Sequence, residues 1–256
     1  NDGTLKEFIT DSTLDVKLIV LTFVNSQSGN ILDVNELALF YKSKFPKAHI
    51  HVDAVQGLGK IKYTFNDKVD SIAITGHKIG GPKGVAGLYL KKGVKVEPLI
   101  VGGGQQDGFR ASTEPYPLIK AFHQAAKMSL ANTDENFTRI QSLNNNLTTH
   151  IKRIIPEVEF PFKETSPYIM CLIIPKISSD VLIRHLEIKE VYVSSTSACS
   201  SKIKGFNSTF KALMIPEKFH KNVLRISFSA QTTAEDMDKL TLIFEQVWSD
   251  LKYLIR

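Results

Sequence analysis
Short runs of Val, Ile and Leu alternate along the chain with stretches whose apolar residues recur at three- and four-residue steps. Leu14 to Val24 has few polar interruptions and suits a strand buried on both faces. It ends at Asn25-Ser26-Gln27-Ser28-Gly29, a polar turn by composition. From Asp33 to Lys44 the apolar positions Val34, Leu37, Ala38 and Phe40 predict a helix that stops before Pro46. Ala48 to Val52, Ile72 to Ile74 and Val85 to Leu90 read as further strands. Strand, helix and strand joined by short loops predict a βαβ unit and a mostly parallel sheet.

Glu114 to Ile155 is helical by pattern, with a break near Ala131 to Asp134 and a stop at Pro156. Asn132 or Thr133 would cap the second helix, which carries acids in its first turn. The rest reads as a smaller α/β unit. Tyr168 to Ile174, Val191 to Val193 and Val223 to Phe228 are its strands, and a helix starts at Ser178 or Ser179 and runs to Leu186. Thr233 to Leu254 is a long amphipathic helix whose stripe of Met237, Leu240, Phe244, Val247, Leu251 and Leu254 is core packing. The expected organisation is residues 1–132 as part of a larger α/β domain and 133–256 as a smaller one.

Bulk properties narrow the function classes. A chain of 256 residues with 43% hydrophobic and 23% charged residues is that of a soluble globular protein. Its longest apolar run, Leu18 to Val24, is too short to cross a bilayer, and the polar start from Asn1 to Asp11 is no signal peptide. Two cysteines make no disulfide framework, so a reducing cytoplasm is expected. The net charge of +6 is spread out, with small clusters at Lys91-Lys92-Lys95 and Lys202-Lys204. No aromatic-and-basic module accompanies it, so no direct nucleic-acid partner is expected.

The chemistry gathers where strands stop. In parallel sheets ligands collect at the carboxyl ends of strands. Asn25 and Ser26, Asp53 and Gln56, and Thr75 to Lys78 all fall at such ends. A lysine at the end of a buried strand is costly, because burial disfavours its charged form, and the same cost makes its amine a better nucleophile toward a carbonyl. Taken alone, Lys78 reads as a solvated loop residue and Asp53 as a loop cap.

Three stretches taken together change that reading: His51-Val52-Asp53-Ala54-Val55-Gln56, Ser71 to Gly84, and Ser194 to Ser201. With them the sequence resembles the class V aminotransferases, the fold-type I enzymes that use pyridoxal phosphate (PLP), and within them the NifS/IscS-like cysteine desulfurases. The resemblance runs from about Gly3 to Arg256 through H-V-D-A-x-Q, [ST]-G-H-K-x-x-G-P-K-G, G-G-G-Q-x-x-G-x-R, S-A-C-S-S and L-R-I-S. It implies an α/β PLP-dependent transferase fold of type I. The family's N-terminal part, with its first strand, phosphate-binding turn and ring-stacking residue, does not appear before Asn1. The chain is therefore expected to be a C-terminal portion of a longer protein.

The resemblance assigns roles by position. Lys78 carries PLP. Asp53 faces the ring nitrogen, and Gln56 donates to the phenolic oxygen. Thr75 and His77 contact the phosphate, and His77 also moves protons. Thr113, in Arg110-Ala111-Ser112-Thr113, reaches the phosphate of the other subunit, which implies a homodimer; Ser112 stands where relatives have glycine. Ser26 stands where relatives contact the cofactor or position substrate, with Asn25 before it at the substrate side. Arg225 forks onto the substrate carboxylate, a contact that suits a planar guanidinium. Cys199, in Ser197-Ala198-Cys199-Ser200-Ser201, is the persulfide-forming thiol, with Lys202 and Lys204 favouring its thiolate. Cys171, inside an apolar strand, reads as an inert buried thiol.

The implied activity is conversion of L-cysteine to L-alanine, with sulfur passed to an acceptor protein in iron–sulfur assembly or thiolation. No metal is implied. The alternatives are a selenocysteine lyase, a cysteine sulfinate desulfinase, or a non-catalytic scaffold that carries sulfur or docks a partner.

Overall fold
The computed structural model describes residues 14–98, 100–195 and 208–254, the side chains of Ser208 and Leu254 excepted. The chain divides into two compact units. One comprises the chain up to Val24 with Leu32–Thr133; the other comprises Asn25–Ile31 with the chain from Asp134 onward.

The first unit is built on β1 (Leu18–Thr22), α1 (Val34–Lys44), β2 (His49–Asp53), β3 (Ser71–Thr75), β4 (Ala86–Leu90) and α2 (Tyr116–Ala131). Its sheet has the order β1-β2-β3-β4. The first three strands are parallel, and β4 runs antiparallel to β3. Thr22 lies opposite Asp53, and Asp53 opposite Ala73, so the carboxyl ends of the three parallel strands come out side by side. Asp33 starts α1 by accepting from the amides of Asn35 and Glu36 at 3.1 Å each, which satisfies two of the helix's orphan donors. Val34, Leu37, Ala38 and Tyr41 are its buried face.

Lys42, in the last turn of α1, reaches Asp70 Oδ2 at 2.7 Å and the Ala48 carbonyl at 2.8 Å. Ile50 N–H donates to the same carboxylate oxygen at 2.8 Å. Burial pushes the Asp70 carboxyl up, but these two hydrogen bonds and the Lys42 charge outweigh it and hold it below its ordinary value. The pair locks α1 to the entry of β2 and β3.

The sheet departs from the expectation of burial on both faces. Ile19, Leu21, Ile50 and Val52 are buried, but on the other face Leu18 is 57% and Val20 59% exposed. Strand alternation separates these two sets. Among the described residues nothing covers Leu18 and Val20.

The second unit holds α3 (Thr133–Ile154), β5 (Ile169–Ile173), α4 (Ser179–Ile188), β6 (Ser194–Ser195), α5 (Ser208–Ala212), β7 (Val223–Ser227) and α6 (Ala234–Leu251). Its antiparallel sheet has the order β5-β7-β6. All five residues of β5 are buried. One side packs Met170 and Leu172 with Ile140, Leu147, Leu224 and Phe244. The other packs Cys171 and Ile173 with Phe210, Ile215 and Val223. Thr233 caps α6 in a reciprocal box with Asp236, and Leu240, Phe244, Val247 and Leu251 are its buried stripe.

Three local expectations are corrected. Val191 to Val193 is not a strand; β7 is paired instead by Ser194 and Ser195. The helix after Thr233 ends at Leu251 and tightens into a 3-10 turn, Lys252–Leu254. Neither Asn132 nor Thr133 caps α3 with its side chain. Both donate backward, to Met128 O and to Ser129 O, so they satisfy carbonyls at the end of α2 rather than amides at the start of α3.

Candidate active site
Lys78 sits on a turn that glycine makes possible. β3 stops at Thr75, and the Gly76 carbonyl accepts from Ile79 N–H at 3.1 Å and Gly81 N–H at 2.9 Å. Gly80 and Gly84 adopt φ of 81° and 86°, in the left-handed region that a Cβ disfavours. At Gly81 a Cβ would stand 2.9 Å from the Gly76 carbonyl, and at Gly76 it would stand 3.0 Å from the Phe122 ring on α2. The turn's own backbone and α2 therefore leave no room for side chains at Gly76 and Gly81, while His77 and Lys78 are exposed. The cost of burial that a lysine at a strand end would carry falls instead on another lysine, Lys60.

At the end of β3, Thr75 Oγ1 lies 2.8 Å from His77 Nδ1 and 3.3 Å from the Val85 carbonyl. The hydroxyl has one proton. If that proton goes to Val85, the hydroxyl accepts from His77 Nδ1–H; if it goes to His77 Nδ1, the ring carries its own proton on Nε2, where it can donate to an anion. Asp53 ends β2 on the neighbouring strand. Its Oδ1 accepts from Val55 N–H at 2.9 Å, which fixes the carboxylate while leaving acceptor capacity for a further donor. His51, two residues earlier, is used structurally: its Nδ1 lies 2.7 Å from Ser71 Oγ. Burial and the neighbouring His49 lower its basicity, against an opposing pull from Asp53.

Gln56 follows Asp53 on a tight turn, and Lys60 Nζ donates to its Oε1 at 3.3 Å. Burial, and secondarily the Lys78 charge, bring the Lys60 ammonium down from 10.5 to about 8. Sequence reasoning missed this lysine. The signal was present as a lysine four residues after Gln56, within Gly57-Leu58-Gly59-Lys60.

In the second unit Arg225, on β7, donates from Nη1 to the Ser26 carbonyl at 2.8 Å. Its Nε is buried without a hydrogen-bond partner among the described residues. Asn25 Oδ1 accepts from the amides of Gln27 and Ser28 at 2.9 and 3.0 Å, so its side chain closes the turn that presents Ser26. Cys171 is 6% exposed, and burial pushes its thiol up to about 12. Cys199, Lys202 and Lys204 lie outside the described residues. Ser112 has φ of 108°, so the serine adopts the backbone conformation that glycine takes more easily, and Thr113 after it is exposed.

The aminotransferase class-V family matches residues 2–240, and the chain belongs to that family. It is 31% identical over 239 residues to the NifS/IcsS protein homolog of Lactobacillus delbrueckii subsp. bulgaricus, covering 91% of this chain and 62% of the relative. It is 31% identical over 252 residues to the cysteine desulfurase IscS of Clostridium botulinum, covering 95% of this chain and 61% of the relative. Among solved structures, a NifS-like protein superposes with a TM-score of 0.85 at 25% identity, over 99% of this chain and 65% of that one. The NifS-like protein from Rickettsia africae superposes with a TM-score of 0.84 at 28% identity, over 97% of this chain and 66% of that one. The fold is thus the α/β fold of PLP-dependent transferases of type I, in part. The chain spans less than two thirds of the length of these curated relatives.

The family implies PLP, and the donor set of the first unit fits it. A primary amine stands on a glycine-closed turn for the aldehyde. A hydroxyl–imidazole pair at the same strand end suits a phosphate. A backbone-anchored carboxylate on the adjacent strand suits a protonated ring nitrogen. Among the described residues no group of three or more His, Cys, Asp or Glu side chains is placed to hold a metal ion. No described helix is long and apolar enough to cross a membrane.

Proposed function
We propose that the protein is a cysteine desulfurase that converts L-cysteine to L-alanine and passes the sulfur to an acceptor protein. One observation carries the reading: Lys78 stands exposed on a turn that only glycines allow, directly after the Thr75–His77 pair and beside the strand that ends in Asp53. The sequences it is similar to include proteins named cysteine desulfurase from bacteria and from Homo sapiens.

PLP, when bound, supplies an electron sink for charge developing at the substrate α-carbon. The residues of the chain do the rest. Lys78 Nζ holds the cofactor and, once freed, takes the α-proton. Asp53 keeps the proton on the ring nitrogen by placing a carboxylate against it. Thr75 Oγ1 and His77 take the phosphate, and the partner subunit of a homodimer contributes Thr113 to the same phosphate. His77 also moves protons. Arg225 forks onto the substrate carboxylate, with Ser26 and Asn25 shaping the turn against which its guanidinium rests. The Cys199 thiolate attacks the substrate sulfur. The S–S bond forms as the C–S bond breaks, the electron pair left on carbon is protonated, alanine leaves, and a persulfide remains on Cys199.

The setting that fits this chemistry is a reducing cytoplasm, with an iron–sulfur scaffold or a thiolation enzyme as acceptor. The test is cysteine turnover by the whole gene product. Alanine and sulfide should form in equal amounts with dithiothreitol present, and Cys199→Ser should abolish both with PLP still bound. Full turnover by Cys199→Ser, or faster turnover of selenocysteine or the sulfinate without need of Cys199, would replace the desulfurase assignment by one of the related lyases.

A further inference from the structure
The turn after β2 carries two residues, Gln56 and Lys60, that have no part in the mechanism above. Gln56 and Lys60 stand four apart on a tight turn, closed by Leu58 N–H to Ala54 O at 3.0 Å and Lys60 N–H to Gly57 O at 3.1 Å. The turn brings the two side chains together, with Lys60 Nζ 3.3 Å from Gln56 Oε1. Two further contacts fix where that turn lies. Ser129 Oγ on α2 donates to the Gly59 carbonyl at 2.9 Å. A Cβ on Gly59, whose φ is 64°, would stand 2.2 Å from Ser129 Oγ and 3.5 Å from Ile79 Cγ2. The Gln56–Lys60 turn is therefore wedged between α2 and the residue that follows Lys78.

The chemistry of the pair is directional. An ammonium has three donors and no acceptor, so the end of an amide that faces it must be the oxygen. A carboxamide held by its oxygen presents its NH2 in the opposite direction. Without such a partner a glutamine amide turns freely and presents either end. A phenolate oxygen requires the NH2 end.

We propose that Lys60 is a positioning residue that holds Gln56 Oε1 and thereby commits Gln56 Nε2–H to donate to the phenolic oxygen of the cofactor carried by Lys78. This rests on the reading of Lys78 as the cofactor-bearing lysine. The cation stays in place although its surroundings oppose it, since burial and the nearby Lys78 both disfavour its charge.

The test is a double-mutant cycle on the whole gene product, read by the PLP dissociation constant and by the visible absorbance maximum of bound PLP. Gln56→Leu should weaken PLP about tenfold, the loss of one hydrogen bond to a charged acceptor. Lys60→Met should weaken it by a similar factor and move the absorbance maximum the same way. The double variant should be no worse than either single one, because Lys60 acts on the cofactor through Gln56. Lys60→Arg, also a donor without an acceptor, should restore both readouts. Additive losses, an unmoved spectrum in Lys60→Met, or failure of arginine to rescue would overturn the proposal while wild-type PLP binding on Lys78 stands. Absence of any PLP on wild-type Lys78 would instead remove the functional reading beneath it, and this proposal with it.

Discussion
Thr75 Oγ1 and His77 Nδ1 lie 2.8 Å apart where β3 ends, one residue before the lysine that the fold presents to solvent. The buried hydroxyl orients the exposed ring, so a phosphate there meets a fixed pair rather than two independent side chains. Thr75→Val keeps the shape and removes the hydroxyl. We expect PLP affinity to fall about tenfold, or ~1.4 kcal/mol for a hydrogen bond to a charged group, with melting temperature little changed. Equilibrium titration of PLP against both proteins measures it.

Arg225 has one nitrogen on the Ser26 carbonyl and a buried Nε with no partner among the described residues. On the proposed reading a substrate carboxylate supplies the missing acceptor. Arg225→Gln should lower kcat/KM for cysteine on the order of a hundredfold, about 2.7 kcal/mol for a forked charged contact. PLP binding should stay at the wild-type level. Arg225→Lys should recover little, because a point charge cannot reproduce the fork.

Lys60 is held at about 8 against an ordinary 10.5, by burial first and by the Lys78 charge second. The unfolded chain therefore binds that proton more tightly than the folded one. The penalty is complete below pH 8, shrinks as folded Lys60 loses its proton between about 8 and 10.5, and is gone above that. Lys60→Met should accordingly stabilise the protein near pH 7 by up to about 3 kcal/mol, with the gain vanishing above pH ~10.5. Denaturant titrations of both proteins at pH 7, 9 and 10.5 (approximate set points along that window) trace it. A variant that is more stable yet binds PLP more weakly would show a site residue kept at a cost to the fold.

The two cysteines are expected to part ways. Cys171 is buried within β5 and its thiol is pushed up to about 12, so it should resist iodoacetamide in the folded protein and react after denaturation. Cys171→Ala should cost about 1 kcal/mol of stability through lost packing and leave cysteine turnover intact. Cys199→Ser should do the reverse. Peptide mapping of the labelled protein and a turnover assay on each variant separate the two.

How far the fold was legible in the sequence follows from which signals are local. Asp33 and Thr233 cap the helices they precede, and the Leu240–Phe244–Val247–Leu251 stripe is buried, because caps and helical periodicity are properties of neighbouring residues. The ends of β2 and β3 are where apolar runs stop at Asp53 and Thr75. Pairing is not local. Val191 to Val193 has the composition of a strand, yet β7 takes Ser194 and Ser195, which composition alone would pass over. The exposed face of β1 was invisible for the same reason: Leu18 and Val20 are as apolar as Ile19 and Leu21.

The site was legible in part. Glycines around Lys78 announced a tight turn, and the φ values and the 2.9 Å approach at Gly81 explain why. Which lysine is buried was not legible. Lys60 sits among glycines and looks like surface, but the turn that holds it packs at Gly59 against Ser129 and Ile79, 70 and 20 positions further along the chain. Asn25 could be counted as a polar turn or a substrate contact from sequence; its side chain closes the turn.

The most direct test of the account is borohydride reduction of the PLP-loaded whole gene product, followed by mass analysis of its peptides. The account predicts that the visible absorbance of the cofactor is lost and that one pyridoxyl group appears on the peptide holding Lys78, with Lys60 unmodified. A modified Lys60, or no modification of Lys78 in protein saturated with PLP, would contradict it.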